Sequence, residues 1–270
     1  MEYLRPATLH EALAGLAGGA RVLAGGTDLY PGAGARLSGP VVDLTAVPGF
    51  IGITSGPQGL RIGACTTWTA VAEAALPPAC AALQQAARQV GARQIQNAGT
   101  VGGNLCNASP AADGVPPLMA LEASVELVSG QGRRVLRLED FLLGPRRTAL
   151  QPGEVMAAVL IPPVAGQSVF LKLGARAHLV ISIAMVAVRL VVSGPEIIRA
   201  AVAVGACSAV ARRLPAVEAA LKGPVAGAAG RVDPVAVAAG LAPIDDVRAT
   251  AAYRAQAAAE LLRRGVEALT

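Results

Sequence analysis

The sequence predicts an α+β protein in two domains, and three observations carry that expectation. Two pairs of adjacent glycines, Gly25-Gly26 and Gly102-Gly103, each stand at the end of an apolar run in the first part of the chain. The double proline Pro162-Pro163, followed by Gly166, interrupts the pattern past the middle. Beyond it strand-like runs come first and helix-like runs follow, the segregated order of an α+β unit. The boundary is therefore placed between a domain of residues 1–165, itself in two parts of about 1–55 and 56–165, and a domain of residues 166–270.

The elements follow in order. Thr8-Leu9-His10-Glu11 reads as a capping box that opens a helix with Leu9, Leu13 and Leu16 on one face, and Gly18-Gly19 stops it. Arg21 to Ala24 is a short strand leading into the first glycine pair, and Val41 to Leu44 is a second strand. Ile51-Gly52-Ile53 and Leu60-Arg61-Ile62 flank a segment with hairpin turn chemistry. Residues 67–75 and 77–90 read as helices, with Pro77 and Pro78 in the first turn of the second. The second glycine pair reads as a loop, and Pro116 to Leu121 as a short apolar helix. Val125 to Val128 and Val135 to Leu138 form a hairpin, and Val155 to Ile161 is a strand ended by the prolines. In the second domain, strands are expected at about 168–173, 180–192 and 197–206, and helices near 214–221, 234–240 and 246–267.

Composition narrows the function. Hydrophobic residues make up 53%, but aromatics only 3%, so the core must be built from Val, Leu, Ile and Ala. Charged residues are 15%, below the usual quarter, which points to surface hidden in an assembly. The net charge is +5, but its 23 Lys and Arg are dispersed and stand beside no aromatic cluster, so nucleic-acid binding is not expected. The first six residues lack the apolar core of a secretory leader. The longest strongly apolar run, Leu179 to Val188, is too short to span a bilayer. Four cysteines with no C-x-x-C pair fit neither a disulfide framework nor a zinc site, and a reduced, cytoplasmic setting is expected.

The chemistry is concentrated in the glycine segments. Ala24-Gly25-Gly26-Thr27-Asp28-Leu29 and Thr100-Val101-Gly102-Gly103-Asn104 can each form a nest of backbone N–H groups suited to a phosphate, with a threonine hydroxyl added. Two nests in one domain suggest a diphosphate held from two sides. Polar residues follow the second in unusual density: Asn104, Asn107, Ser109 and Asp113. Neither segment is a P-loop or G-x-G-x-x-G. His10 suits a helix surface, His178 a turn, and Cys106 a small buried thiol, so no acid–base or nucleophile set can be assembled. Any chemistry then belongs to a cofactor that the protein positions.

At these residues the chain resembles the FAD-binding medium subunit of the molybdenum hydroxylases, the family of bacterial xanthine, aldehyde, nicotinate and carbon monoxide dehydrogenase flavin subunits. The resemblance runs from Tyr3-x-x-Pro6 through the first glycine segment and Val42-Asp43-Leu44. It is densest from Arg93-Gln94-Ile95 to Ser109-Pro110-x-x-Asp113, and continues at Phe170-x-Lys172-Leu173 and Ile181. It implies a two-subdomain FAD-binding fold of the vanillyl-alcohol oxidase-like type, followed by a smaller α+β domain. The backbone of Ala24 to Leu29 and of Thr100 to Asn104 would cradle the FAD diphosphate. Asp113 and Lys172 match positions lining the FAD site, Ile181 matches the residue against the isoalloxazine face, and Met156 matches an apolar position near the cofactor. Ser109 belongs to the same densely matching stretch. The family further implies a large molybdenum-cofactor partner and a small partner with two-iron two-sulfur clusters, assembled as a dimer of heterotrimers.

Three departures refine this. Val180 stands where family members often carry Asp, which removes a carboxylate that would tune the flavin and steer an acceptor such as NAD. Thr27-Asp28 replaces the His-Ser of the carbon monoxide branch, pointing away from that substrate. Cys106 stands alone, without the cysteine-bearing insert of the benzoyl-CoA-reductase branch. A stand-alone flavin oxidoreductase of the same fold and a flavinless assembly subunit are the alternatives.

Overall fold

The computed structural model of the protein describes residues 2–34 and 37–270; Met1, the first residue of the segment read against a leader, lies outside them. The chain opens with β1 (Tyr3–Leu4), α1 (Leu9–Ala17), β2 (Arg21–Leu23), α2 (Leu29–Gly32) and β3 (Val41–Asp43), and β3 lies between β1 and β2, parallel to both. The capping box forms. Thr8 Oγ1 accepts from the Glu11 N–H at 3.2 Å, and the Glu11 carboxylate accepts from the Thr8 N–H at 3.2 Å. Thr8→Ala should therefore cost about 1 kcal/mol. The check is a lowered urea midpoint at unchanged m-value; an unmoved midpoint would mean that the apolar face alone holds the helix.

Next come β4 (Ile53–Gly56), β5 (Gly59–Gly63), α3 (Trp68–Glu73), α4 (Ala81–Ala87), α5 (Arg93–Ala98), α6 (Val101–Asn107) and α7 (Val115–Ala120). They are followed by β6 (Ser124–Ser129), β7 (Gly132–Arg137), α8 (Leu138–Phe141), β8 (Leu142–Gly144), β9 (Arg147–Thr148) and β10 (Val155–Ile161). An antiparallel sheet runs in the order β4-β5-β10-β6-β7. Central β10 is a continuous apolar run because both its faces are covered. Met156, Val159 and Ile161 pack with Trp68, Leu83, Leu105 and Leu118 of the helices, whereas Val155 and Ala157 pack with Val42, Leu44 and Phe50.

The remaining elements are β11 (Gln167–Leu173), β12 (Ala184–Ser193), β13 (Glu196–Gly205), β14 (Arg212–Arg213), α9 (Pro215–Leu221), β15 (Gly223–Pro224), α10 (Pro234–Ala239) and α11 (Ala251–Glu267). The antiparallel sheet β11-β12-β13-β14 buries Ala184, Val186, Val188 and Leu190 against α9, α10 and α11. Alternation turns Met185 and Ala187 to the other face, where they meet Ala82, Ala86 and Ala120 of the first part of the chain. Small side chains there let helix and sheet approach closely, which is how a core with few rings closes. Buried Arg189, on that same face, donates to the Ala120 carbonyl at 2.8 Å and pairs with Glu122 at 2.8 Å.

The structure is mixed α and β, as expected, with local corrections. The second glycine segment is not a loop: it is the first turn of α6, with Thr100 as its N-cap. Glycine is tolerated there because a Cβ at Gly102 would lie 2.6 Å from the Ala64 side chain, so close packing on the end of β5 demands its absence. The strand expected from residue 180 begins at Ala184, since the chain before it turns through Leu179 at φ +53°. The last helix starts at Ala251 rather than near 246, where Thr250 caps it. Helices α5 and α8 and the small strands β8, β9, β14 and β15 were not expected.

Candidate functional site

The two glycine segments meet. A Cβ on Gly25 would overlap the Ala98 carbonyl oxygen and lie 2.9 Å from Gly99 Cα, so the first turn rests on the α5–α6 junction. Gly26 sits at φ +71°, a conformation that L side chains rarely adopt. The turn links β2 to α2 before the chain returns to the same sheet at β3, and α6 packs on β5 and β10. Between them opens a cleft of about 570 Å³. Its walls include every residue from Ala24 to Leu29, together with Thr100, Gly102, Gly103, Asn104 and Met156.

The two walls differ in what they offer. Among the described residues, the N–H groups of Gly25, Gly26, Thr27 and Asp28 donate to no other group of the chain. A run of four uncommitted donors in a turn is an anion-binding concavity. The α6 wall is different, and the second amide cradle read from the sequence is corrected here. Val101 N–H donates to Thr66 O at 3.0 Å, Gly102 N–H to Ala64 O at 2.8 Å, Gly103 N–H to Thr100 Oγ1 at 3.1 Å, and Asn104 N–H to Thr100 O at 3.0 Å. These donors are spent on docking and capping the helix. What α6 contributes to the cleft is an open backbone face at Gly103, together with Asn104 and, further along, Cys106 and Asn107. Asn104 Oδ1 is buried without a hydrogen-bond partner in the chain. An orphaned buried acceptor costs about 1–3 kcal/mol, so a site that keeps one is built to satisfy it from a ligand.

Several expected site residues lie outside the cleft walls. Val101, the first residue of α6, is fully buried, and Ser109 accepts from the Ala111 N–H at 3.3 Å. Ile181 is 62% exposed. Asp113 and Lys172 form a buried ion pair at 2.6 Å, their side chains 8% and 7% exposed. Ser182 Oγ donates to the other Asp113 oxygen at 2.6 Å. Burial pushes the Asp113 pKa above its ordinary value, although Lys172 and Ser182 oppose the shift. The adjoining Gly114 connects this cluster to the cleft: a Cβ there would overlap the Trp68 ring and lie 3.2 Å from Asn104 Oδ1. His10 and His178 are both exposed.

Sequence reading missed part of the lining. Leu44, Ala64, Cys65, Trp68, Leu150 and Glu154 also face the cleft, brought there from separate elements that no local motif joins. Cys106 and Asn107, noted beside the second segment, line it as well. Burial pushes the Cys65 and Cys106 thiols up to about 12, so both are neutral thiols at physiological pH.

A cleft with uncommitted amide donors on one wall and, among the described residues, no histidine in its lining is suited to a nucleotide-like cofactor that supplies the chemistry itself. Comparison with known proteins identifies which. A family model for the "FAD binding domain in molybdopterin dehydrogenase" matches residues 1–164, and one for the "CO dehydrogenase flavoprotein C-terminal domain" matches residues 170–269. The chain belongs to the FAD-binding medium subunits of the molybdenum hydroxylases. It is 33% identical to the carbon monoxide dehydrogenase medium chain of Afipia carboxidovorans, over 98% of this chain and 95% of that one. It is 38% identical to the nicotinate dehydrogenase FAD-subunit of Eubacterium barkeri, where the match spans 60% of this chain and 57% of that one. Among solved structures, the carbon monoxide dehydrogenase of Hydrogenophaga pseudoflava contains a chain that superposes with a TM-score of 0.91 at 29% identity, covering 100% of this chain and 96% of that one. Among the described residues, no helix is long and apolar enough to cross a membrane.

Proposed function

We propose that this chain is the electron-transfer subunit of a molybdenum-containing hydroxylase, holding FAD in the cleft between the first glycine turn and α6. The observation that carries the reading is the unspent run of N–H groups from Gly25 to Asp28 on one wall of the cleft, with Asn104 on the other. The Gly25–Asp28 amides would hold the diphosphate, with Thr27 adding its hydroxyl. Thr100, Gly102, Gly103 and Asn104 would form the opposite wall, with Val101 supporting it from below. Ala24, Leu29 and Met156 would supply apolar contact. Asp113 and Lys172, with Ser182, would set a fixed polar edge, and Ser109 and Ile181 would complete the site only where the cofactor extends beyond the cleft. When bound, FAD supplies the conversion between paired and single electron transfers. The chain's own residues bind it, orient it and exclude water. No general base is needed for that work, in keeping with two exposed histidines.

The same reading places a molybdenum cofactor in a large partner and two-iron two-sulfur clusters in a small one, with the complex a dimer of heterotrimers in the cytoplasm. The names of the relatives, medium chains and FAD-subunits of dehydrogenases, support partners of that kind. The division of the chain at 165/166 is supported by Pro162-Pro163 and by the spans of the two family models.

Gly103→Val tests the site. A Cβ at this position meets only Thr100 Oγ1, at 2.8 Å, so the fold should survive with a loss of about 1 kcal/mol from the disturbed cap. The valine would project into the cleft from the Gly103 wall and block the close approach of a ligand there. The purified wild-type chain should take up equimolar FAD and turn yellow, whereas the variant should stay colourless with a near-native melt. A variant that binds FAD as well as wild type would move the cofactor out of this cleft.

A further inference from the structure

The last helix and the loop before it reach back to the Asp113–Lys172 pair, which adjoins the cleft through Gly114. Asp246 is the hub. Its Oδ2 accepts from Arg248 Nε at 3.1 Å and Nη2 at 2.6 Å, and its Oδ1 accepts from Arg254 Nη2 at 2.6 Å. Each arginine then spends its remaining terminal nitrogen on the segment that precedes β12. Arg248 Nη1 donates to the Ser182 carbonyl at 3.0 Å, and Arg254 Nη1 donates to the Ile183 carbonyl at 2.6 Å. One carboxylate thus aligns two guanidinium groups on consecutive peptide carbonyls. The Ser182 residue so held is the one whose hydroxyl donates to Asp113 at 2.6 Å, and Asp113 in turn pairs with Lys172.

We propose that Arg248 is a positioning residue for the cofactor site, fixing the Ser182 backbone so that the Ser182 hydroxyl stays on Asp113. This rests on the reading of the cleft as an FAD site. The segment needs outside support. It runs from Gly174 through exposed residues and turns at Leu179 with φ +53°, a costly conformation for leucine. Its own tie to the sheet is the Ile183 N–H on the Leu173 carbonyl at 2.8 Å. Arg254 is fully buried and also holds the Ala206 carbonyl, so its loss would damage the core at large. The Arg248 side chain is 32% exposed, and its removal leaves Asp246 still paired with Arg254. Arg248 is therefore the member of the clamp whose effect on the site can be separated from its effect on folding.

The test is a double-mutant cycle on the full chain, read as the FAD dissociation constant by flavin fluorescence, with the apoprotein melt recorded for each variant. Ser182→Ala should weaken FAD binding severalfold, because Asp113, next to Gly114 at the edge of the cleft, loses one of its two side-chain anchors. Arg248→Met should weaken it by a comparable factor, and in the Ser182→Ala background should add less than about twofold, because both act through one contact. In the FAD-free chain, Arg248→Met should also raise hydrogen exchange at the Ile183 amide, and Arg248→Lys should restore part of the protection through its one donor. An Arg248→Met effect that is absent, or equally large with and without Ser182, overturns the inference while leaving the FAD site standing. A wild-type chain that binds no FAD overturns both.

Discussion

Gly25→Ala is expected to unseat the whole site. The added Cβ would overlap the Ala98 carbonyl oxygen and lie 2.9 Å from Gly99 Cα. Both neighbours are backbone, at the junction of α5 and α6, and neither can swing aside as a side-chain tip would. The first glycine turn must lift off the junction. Overpacking of this kind costs about 1–3 kcal/mol, and a clash with main-chain atoms that cannot swing aside belongs at or above the upper end. FAD binding should fall with it, because the Gly25–Asp28 amides lose their place opposite α6. Thermal unfolding and FAD titration of the same sample check this. An unchanged melt with full FAD uptake would mean that the turn does not rest on the junction as described. The contrast with Gly103→Val is informative: one glycine is required by the fold, the other by the open cleft.

Lys172→Met is expected to cost about 3–5 kcal/mol, because it leaves the buried Asp113 carboxylate without its counter-charge. The size of the loss should depend on pH in a defined direction. Burial already raises the folded-state pKa of Asp113 against the pull of Lys172 and Ser182. A carboxyl raised in this way contributes stability that is fully present below its unfolded value of about 3.9 and lost as pH rises through its folded value. Removing Lys172 lifts the folded value further. The stability gap between wild type and variant should therefore widen from pH 5 to pH 8 and narrow on acidification. Asp113→Asn added to Lys172→Met should recover much of the loss and flatten the pH dependence. Urea midpoints at the two pH values decide; a gap independent of pH would mean that Lys172 acts by packing alone.

Much of this molecule was legible in the sequence because its signals are local. The Thr8/Glu11 capping box, the two hairpins with turns at Pro57-Gln58 and Gly130-Gln131, and the apolar run of β10 each carry their cause within a few residues. The second glycine segment was misread as a loop because glycine pairs ordinarily break helices. Here the reason lies elsewhere in the chain, at Ala64, whose closeness excludes a side chain from Gly102. The amides of α6 are likewise spent on Thr66 and Ala64, partners that no motif announces. Trp68, Cys65 and Leu44 line the cleft through tertiary packing alone. The Asp246 hub was invisible for the same reason: a loop before the last helix meets residue 182 only once the sheet has formed.

The claim beneath all of this is that the uncommitted amides of Gly25 to Asp28 hold the diphosphate of FAD against α6. Crystals of the full chain grown with FAD test it most directly. The account predicts phosphate oxygens within hydrogen-bonding distance of those amides, with the Asn104 side chain turned to the cofactor. A diphosphate bound elsewhere, with the Gly25–Asp28 turn facing only solvent, would contradict it.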